Sequence, residues 1–314
     1  MPKPSTFCLT GATGFIGRWL TSRIRAEGGS VVRTLSRRGG LVLDGWHAGD
    51  LLARRSLEGF IPQGATVVHL AYLSDSTREQ NLLAAANLAE ACLQAGAVRF
   101  IYVSTAVVTG DCPDPVVTED SLCRPTNHYE ETKLAIENLL ISKMAGRCEL
   151  AILRPTEVYG EGGKNLLKLA QHIRTASVLV RVLKRSLLSH RRLHLVHVDN
   201  VVEAIMHLAR LESARLECRY IVSEDDVPEN NYGDVSDILV GEWGLPCPLG
   251  ALPNLPAALL PLLFSAGTRR GRRPNQIYDC SRLLRSGYRR PVTFQQGLRL
   301  FAVGFPGPTG AAAQ

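Results

Sequence analysis

Hydrophobic positions in the first half of the chain alternate between short apolar runs and longer amphipathic stretches. The apolar runs predict β-strands at residues 6–10, 30–36, 65–71, 99–105 and 149–154. The amphipathic stretches between them predict helices at residues 14–27, 77–95 and 128–145. Strands that are apolar throughout are typical of a parallel sheet covered by helices on both faces. The pattern therefore predicts an α/β, Rossmann-type doubly wound parallel sheet.

The second half departs from this rhythm. Most clusters of Pro, Gly and Arg lie in residues 161–192 and 224–290, whereas residues 193–210 and 219–223 predict a strand, a helix and a strand that return to the main sheet. We therefore expect a smaller C-terminal substrate lobe that is discontinuous in sequence. The predicted dinucleotide-binding domain, substrate lobe and flexible tail comprise residues 1–160 plus 193–223, 161–192 plus 224–304, and 305–314.

Composition places the chain among ordinary soluble globular proteins. Of its 314 residues, 45% are hydrophobic and 21% are charged. The formal net charge of +7 fits a solvated basic surface or a cleft that attracts phosphates. Nucleic-acid binding is disfavoured because no zinc-ligand spacing, basic heptad helix or RNA-binding aromatic signature is visible.

Cysteine usage and hydropathy bear on the cellular location. The eight cysteines are scattered without a CxxC pair, which is typical of buried thiols in a reducing compartment and predicts neither disulfides nor a metal site. A polar glycine loop begins within a dozen residues of the start, so no signal peptide is expected. Three prolines interrupt the longest apolar run, at residues 250–267, so no integral membrane segment is expected either. We therefore expect a cytoplasmic protein.

A glycine motif directly follows the first predicted strand. The stretch "TFCLTGATGFIG" places Gly11, Gly14 and Gly17 between that strand and the start of a helix. Glycines there permit a tight turn and a close backbone approach to a pyrophosphate, which the helix N-terminus faces. In this context the motif predicts a dinucleotide-binding loop.

The end of the second strand bears on the choice of dinucleotide. A carboxylate near this position usually meets a free 2′-hydroxyl, but the chain has Ser36, Arg37 and Arg38 there. Guanidinium groups match phosphate oxygens, so the sequence favours NADP over NAD, although two solvated loop arginines would look the same. Asp50 could accept a hydrogen bond from the adenine amino group, with Leu51 against the ring.

Candidate proton-transfer groups lie on a strand end and on the following helix. Ser104 and Thr105 end the fifth predicted strand, where a hydroxyl faces the crevice of such folds. Tyr129 and Lys133 are four residues apart and share one helix face. A free tyrosine has a pKa near ~10, and we expect the neighbouring ammonium, with a positive nicotinamide, to lower it towards a working value. Thr105 can hydrogen-bond the substrate oxygen that exchanges the proton.

Two further features of these helices carry predictions. Asn127 and Glu130 are placed to cap the Tyr129 helix as N-cap and N3 residues. Asn81, on the helix after the strand at 65–71, is a further polar candidate for the site, although an ordinary surface amide would give the same pattern.

The chain also carries a series of motifs in a characteristic order. They are "TGATGFIG", "GDL" with Asp50, "VVHLAY", "YVST", Tyr129-xxx-Lys133, "LRPTEVYG", "HLVHVDNVVEA" and "SGYRRPVTFQQGL". Together they resemble the extended short-chain dehydrogenases/reductases, also called the NAD-dependent epimerase/dehydratase family, over nearly the whole chain. The resemblance implies a homodimer built through the helices at 77–95 and 128–145.

The resemblance also implies roles for individual residues. The implied catalytic residues are Thr105, Tyr129, Lys133 and Asn81. The implied cofactor contacts are Gly11, Thr13, Gly14, Phe15, Ile16, Gly17, Ser36, Arg37, Arg38, Asp50, Leu51, Leu70, Ala71, Tyr72, Val103, Tyr129, Lys133, Pro155 and Val158. Arg154 is expected beside the nicotinamide as well. The implied substrate contacts are Ser104, Thr105, Glu157, Asn165, Arg191 and Arg192, with others from residues 224–275.

Three functions remain open at this point. The first is a nucleotide-diphosphate-sugar epimerase, which the basic charge and Arg191 and Arg192 suit, although "SLLSHRRLHLVHVDN" lacks the "GDG…RDF" stretch of many such enzymes. The second is an NADPH-dependent reductase or dehydrogenase of a ketone or alcohol. Arg37 and Arg38 favour this function. Apolar residues of the second lobe would also suit a less polar substrate, unless they simply form the core of that lobe (Leu255, Leu259, Leu260, Leu263 and Phe264). The third is a non-catalytic cofactor sensor, which the intact Thr105–Tyr129–Lys133 set disfavours.

Overall fold

A seven-stranded parallel sheet forms the centre of the residues that the computed structural model describes, which are 6–28, 30–37, 45–246 and 276–305. Its strands are β1 (Thr6–Thr10), β2 (Val31–Ser36), β3 (Trp46–Ala48), β4 (Thr66–His69), β5 (Arg99–Val103), β7 (Glu149–Pro155) and β10 (Arg219–Val222). Their spatial order is β10-β7-β5-β4-β1-β2-β3, and all neighbours run parallel. The predicted doubly wound fold is confirmed.

Helices cover both faces of this sheet. The flanking helices are α1 (Phe15–Glu27), α2 (Arg78–Ala95), α3 (His128–Met144) and α6 (Val198–Arg210). Leu20 of α1 and Ile205 of α6 pack into the core on one face, while Leu88 of α2 and Leu140 of α3 pack into the core on the other. The central strands are buried on both faces, which explains why their sequences are continuous apolar runs.

The second half of the chain divides between two sheets. β8 (Glu157–Tyr159) follows β7 directly and pairs in parallel with β9 (Leu195–His197) in a separate two-stranded sheet. The prediction that both strands around α6 return to the main sheet is therefore wrong for β9 and right for β10, which pairs with β7. β10 occupies the edge of β7 that β5 leaves free, so β9 pairs instead with β8, the strand that follows β7 in the chain.

A smaller helical layer lies beside β8 and β9. It contains α4 (Leu167–Thr175), α5 (Val178–Leu188), α7 (Tyr232–Glu242) and α9 (Phe294–Gly304). A short pair, β6 (Val116–Val117) with β11 (Ile277–Tyr278), and helix α8 (Ser281–Arg285) complete the described elements. The core of this layer is formed by Tyr159, Leu166, Ile173, Leu195, Val235, Leu239, Phe294, Leu298 and Phe301.

Some predictions concern residues that the structure does not describe, and others concern thiols, metals and membranes. Arg38, the apolar run at 250–267 and the tail from residue 306 lie outside the described residues. In the described part of the chain, seven cysteines are free thiols, and no group of His, Cys, Asp and Glu side chains could hold a metal ion. None of the helices described there is long and apolar enough to cross a bilayer.

Candidate active site

A cleft of about 1140 Å³ opens at the carboxyl ends of β1, β4, β5 and β7. Parallel α/β sheets bind their ligands at this edge. The predicted site residues that line the cleft are Gly11, Gly14, Phe15, Ile16, Gly17, Leu70, Tyr72, Val103, Ser104, Thr105, Tyr129, Lys133, Pro155, Glu157, Val158 and Asn165. The fold thus brings together residues that are separated by up to 154 positions in the chain.

Other predicted residues do not line this cleft. In the described part of the chain these are Thr13, Ser36, Arg37, Asp50, Leu51, Ala71, Asn81, Arg154, Arg191 and Arg192. Conversely, the cleft is also lined by residues that were not predicted as site residues: Arg18, Val107, Gly110, Thr126, Asn127, Glu130, Thr156, Gly162 and Lys164. Thr126, Asn127 and Glu130 could have been found, because they cap the helix that carries Tyr129.

The glycine turn leaves no room for side chains. Gly11 has a φ of 74°, and a Cβ there would lie 2.8 Å from the Ala71 backbone nitrogen. A Cβ on Gly17 would lie 2.2 Å from the Gly11 carbonyl oxygen. Gly14 is the N-cap of α1, with no side-chain cap and no acidic residue in the first turn. An uncapped, acid-free helix N-terminus beside a close-packed backbone turn fits a dinucleotide pyrophosphate.

Gly17→Ala is therefore expected to weaken dinucleotide binding at least about tenfold, because the turn must open to admit the methyl group. Dissociation constants for NAD and NADP, measured by calorimetry, test this. Gly241→Ala on α7 is the matched control, since a Cβ there meets nothing within 4 Å and should leave binding unchanged. Equal affinity of Gly17→Ala and the native protein would contradict the role of this turn.

Helix α3 presents Tyr129 and Lys133 to the cleft. The predicted N-cap is confirmed: the Asn127 side chain accepts a hydrogen bond from the Glu130 backbone N–H. The Glu130 carboxylate reaches back one residue further, to the Thr126 backbone N–H at 2.7 Å. This tight first turn fixes the direction in which Tyr129 leaves the helix.

Lys133 is buried among aromatic rings. Its Nζ donates to the Val103 carbonyl oxygen at 3.1 Å and lies 5.3 Å from the centroid of the Tyr72 ring and 5.0 Å from that of Tyr102. Burial lowers the pKa of Lys133 to about 8, and the Glu137 carboxylate opposes this shift. The ammonium at neutral pH is therefore held at a cost in stability.

Tyr129 and Thr105 both line the cleft, and the pKa of the phenol in the protein alone is raised. Burial, followed by the neighbouring Tyr72 and Glu157, raises the pKa of Tyr129 to about 12, while the hydrogen bond from Thr105 lowers it. The ring is nevertheless 40% exposed. The protein's own groups thus oppose ionisation of the phenol, and the lowering of its pKa by Lys133 together with a positive nicotinamide stays a prediction.

Lys133→Met is expected to stabilise the protein while abolishing turnover. The pKa of Lys133 is lowered from 10.5 to about 8, so the folded state disfavours the ammonium at every pH below about 8. Removing it should raise the free energy of unfolding at pH 7 by about 2–3 kcal/mol. Denaturant unfolding at several pH values should show this gain shrinking as the pH rises from about 8 to above 10.5. A pH-independent difference would contradict the buried charge.

Asn81 and Asp50 are engaged with the backbone. The Asn81 amide donates to the Leu73 carbonyl oxygen at 3.0 Å and accepts from the Leu73 N–H at 3.0 Å. A second donation goes to the Thr77 carbonyl oxygen, so this side chain holds the loop between β4 and α2. One carboxylate oxygen of Asp50 accepts from the Leu52 N–H within a turn, and Leu51 is buried in the core.

Three predicted arginines point elsewhere. Arg192 donates to the Asp225 carbonyl oxygen, and Arg191 does not line the cleft. Arg154 was expected beside the nicotinamide, but its guanidinium is buried and forms two hydrogen bonds to the Glu137 carboxylate, at 2.6 and 3.0 Å. A guanidinium at this depth requires a carboxylate partner, and α3 supplies one behind the cleft wall.

The chain is similar to known proteins in both sequence and structure. Residues 7–219 match the model of the NAD-dependent epimerase/dehydratase family. A UDP-glucose 4-epimerase of Vibrio cholerae is 29% identical over 222 residues, which cover 65% of this chain and 66% of that one. The chain thus spans just under two thirds of the length of that relative.

Two solved structures share the fold. The UDP-glucose 4-epimerase of Thermus thermophilus in complex with NAD superposes with a TM-score of 0.68 at 22% identity, covering 96% of this chain and 99% of the other. MoeE5 in complex with UDP-glucuronic acid and NAD gives a TM-score of 0.69 at 26% identity, covering 96% and 98%.

Proposed function

The chain belongs to the NAD-dependent epimerase/dehydratase family, and from that membership we propose that it epimerises a nucleotide-diphosphate sugar in the manner of a 4-epimerase. It is an NAD(P)-dependent enzyme of the extended short-chain dehydrogenase type. The observation that carries the proposal is that Thr105, Tyr129 and Lys133 line the same cleft, which begins at the glycine turn, with Lys133 one helical turn from Tyr129. The Vibrio cholerae relative, a UDP-glucose 4-epimerase, supports the substrate class.

In the proposed reaction the chain binds the dinucleotide at Gly11, Gly14 and Gly17. When bound, the nicotinamide supplies reversible hydride transfer and, in its oxidised form, a positive charge. Tyr129 takes the proton from the substrate hydroxyl and returns it after the opposite face of the sugar has been presented. Thr105 lines the same cleft and is the candidate to hydrogen-bond the substrate oxygen, and Lys133 adds positive charge on the same side of α3. Because the pKa of Tyr129 in the protein alone is about 12, the base becomes effective only with added positive charge in the cleft.

For the cofactor, we propose a preference for NADP, carried by Arg37 at the end of β2 and by Arg38. Replacing both by alanine is then expected to weaken NADPH binding about tenfold or more while changing NADH binding little, because only NADPH carries the 2′-phosphate. Arg147→Ala, on the surface after α3, is the control. Equal losses for both dinucleotides would show that the two arginines are ordinary surface charge.

A reductase or dehydrogenase of a ketone or alcohol is the second candidate. The observation in its favour is that Arg191 and Arg192, expected to hold the diphosphate, do not line the cleft. Arg18 and Lys164 line it instead and provide positive charge for a phosphate. The epimerase is favoured because these cations suit an anionic substrate better than an uncharged ketone.

Purified protein incubated with a panel of UDP-, GDP- and dTDP-sugars separates these functions. An epimerase interconverts sugar isomers with no net change in the absorbance of the reduced nicotinamide, whereas a reductase consumes NADPH. A protein that binds a dinucleotide but converts no substrate would favour the non-catalytic cofactor sensor, and a protein that binds neither dinucleotide would contradict all three functions. A cytoplasmic homodimer built through α2 and α3 completes the proposal, and sedimentation in solution tests the dimer.

A further inference from the structure

The ring of Tyr72 touches both members of the proton-transfer pair. Tyr72 lies in the loop between β4 and α2 and lines the cleft. Its ring stands perpendicular to that of Tyr129, with the centroids 5.1 Å apart and an interplanar angle of 82°. The Lys133 ammonium nitrogen lies over the same Tyr72 ring, 5.3 Å from its centroid. Since Tyr129 and Lys133 are one helical turn apart, a single ring spans the turn between them.

The loop that carries Tyr72 is held in place. The Asn81 amide hydrogen-bonds both the N–H and the carbonyl oxygen of Leu73, the residue after Tyr72. Thr77 and Gln80 close a capping box at the start of α2, so the loop enters that helix in one geometry. The backbone beside Tyr72 is therefore fixed from both sides.

Two aromatic rings lie beside the Lys133 ammonium, which also donates to the Val103 carbonyl oxygen. Tyr72 and Tyr102 lie around Nζ, and no carboxylate in the described part of the chain forms a salt bridge with it. Glu137, on the next turn of α3, is the carboxylate that raises the pKa of Lys133, and it forms a salt bridge with Arg154. His69, on β4, stacks on Tyr102, and burial with the charge of Lys133 lowers the pKa of His69 to about 3, so it is neutral. The negative faces of the rings thus stabilise the ammonium.

We infer that Tyr72 is a positioning residue for the proton-transfer pair, carrying the Lys133 ammonium on its face and holding the Tyr129 ring perpendicular to it. This rests on the proposed roles of Tyr129 and Lys133, and it adds a second role to the cofactor contact expected of Tyr72. It also gives Asn81 a function, because the loop that Asn81 holds is the one that carries this ring.

An NMR titration of Lys133 in the protein with isotope-labelled lysine tests the ring contact without substrate or cofactor. The Lys133 signal is identified by its loss in Lys133→Met. Tyr72→Phe keeps the aromatic face and should leave the midpoint near about 8. Trifluorophenylalanine at position 72 has nearly the same shape without the negative face, and should raise the acid dissociation constant of Lys133 about three- to tenfold.

The matched control is the same pair of replacements at Tyr232 on α7, which should not move the Lys133 signal. Identical midpoints with phenylalanine and trifluorophenylalanine at position 72 would overturn the inference. The titration does not depend on turnover, so its outcome can be distinguished from a failure of the proposed function. That failure would be a native protein that is inactive on every sugar of the panel.

Turnover gives the second readout. Tyr72→Leu should lower kcat about tenfold or more even at saturating dinucleotide, so that any loss of the expected cofactor contact does not account for the effect, while Tyr72→Phe should restore kcat to near the native value. Thermal unfolding confirms that each variant is folded. A Tyr72→Leu enzyme with native kcat would show that the ring does not position the pair.

Discussion

Tyr129→Phe is expected to lower turnover by about 100- to 10,000-fold, the range over which a positioned acid–base group accelerates a reaction. Phenylalanine keeps the perpendicular ring contact with Tyr72 but removes the hydroxyl that would exchange the proton. The fold should persist, because Tyr129 is 40% exposed and caps no element. Binding of NAD or NADP should also be retained, since the glycine turn is untouched.

The measurement is kcat, with the dissociation constant of the dinucleotide and the thermal unfolding temperature determined in parallel. Tyr232→Phe on α7 is the matched control and should keep native turnover. If Tyr129→Phe keeps native kcat, another group transfers the proton. A parallel loss of dinucleotide binding would instead show that the phenol serves the cofactor site.

Breaking the buried ion pair behind the cleft should have the largest effect on stability. The side chains of Arg154 and Glu137 are 1% and 0% exposed, and they share two hydrogen bonds. Arg154→Met removes the hydrogen-bonded partner of the Glu137 carboxylate and leaves the Arg219 guanidinium, at 3.8 Å, and the Lys133 ammonium one turn away. Removing one partner of a buried ion pair costs about 3–5 kcal/mol. Denaturant unfolding measures this loss.

Two companion variants identify its cause. Adding Glu137→Leu to Arg154→Met removes the stranded charge and should recover most of the loss, because apolar residues can replace a buried pair at little cost. Arg299→Met breaks the exposed pair between Arg299 and Glu242 and should cost less than about 1 kcal/mol. A double variant no more stable than Arg154→Met would mean that packing, rather than charge, dominates at this position.

The sequence predicted those parts of the molecule that depend on local signals. The glycine turn, the Asn127 cap and the Tyr129–Lys133 spacing are each defined within a few residues, and the structure places all of them around one cleft. Alternating apolar and amphipathic stretches were likewise sufficient for the order of helices and sheet strands, because strand burial on both faces leaves a continuous apolar run.

The missed features depend on residues far apart in the chain. Arg154 turns away from the cleft because Glu137, on a neighbouring helix, offers a buried carboxylate. β9 leaves the main sheet because β10 already occupies the edge of β7. The raised pKa of Tyr129 reflects burial, Tyr72 and Glu157, none of which its own helix reveals. In the sequence, the buried pair is indicated by Glu137, a carboxylate four residues after Lys133 and therefore on the same face of the helix.

The most direct test compares the native enzyme and Tyr129→Phe on the same panel of UDP-, GDP- and dTDP-sugars, with sugar isomers resolved by NMR and nicotinamide absorbance recorded alongside. We predict that the native enzyme interconverts two isomers without net change in reduced nicotinamide, and that Tyr129→Phe binds the dinucleotide but forms product at least about 100-fold more slowly. Equal product formation by the two proteins, or net consumption of NADPH by the native one, would contradict epimerisation through this phenol.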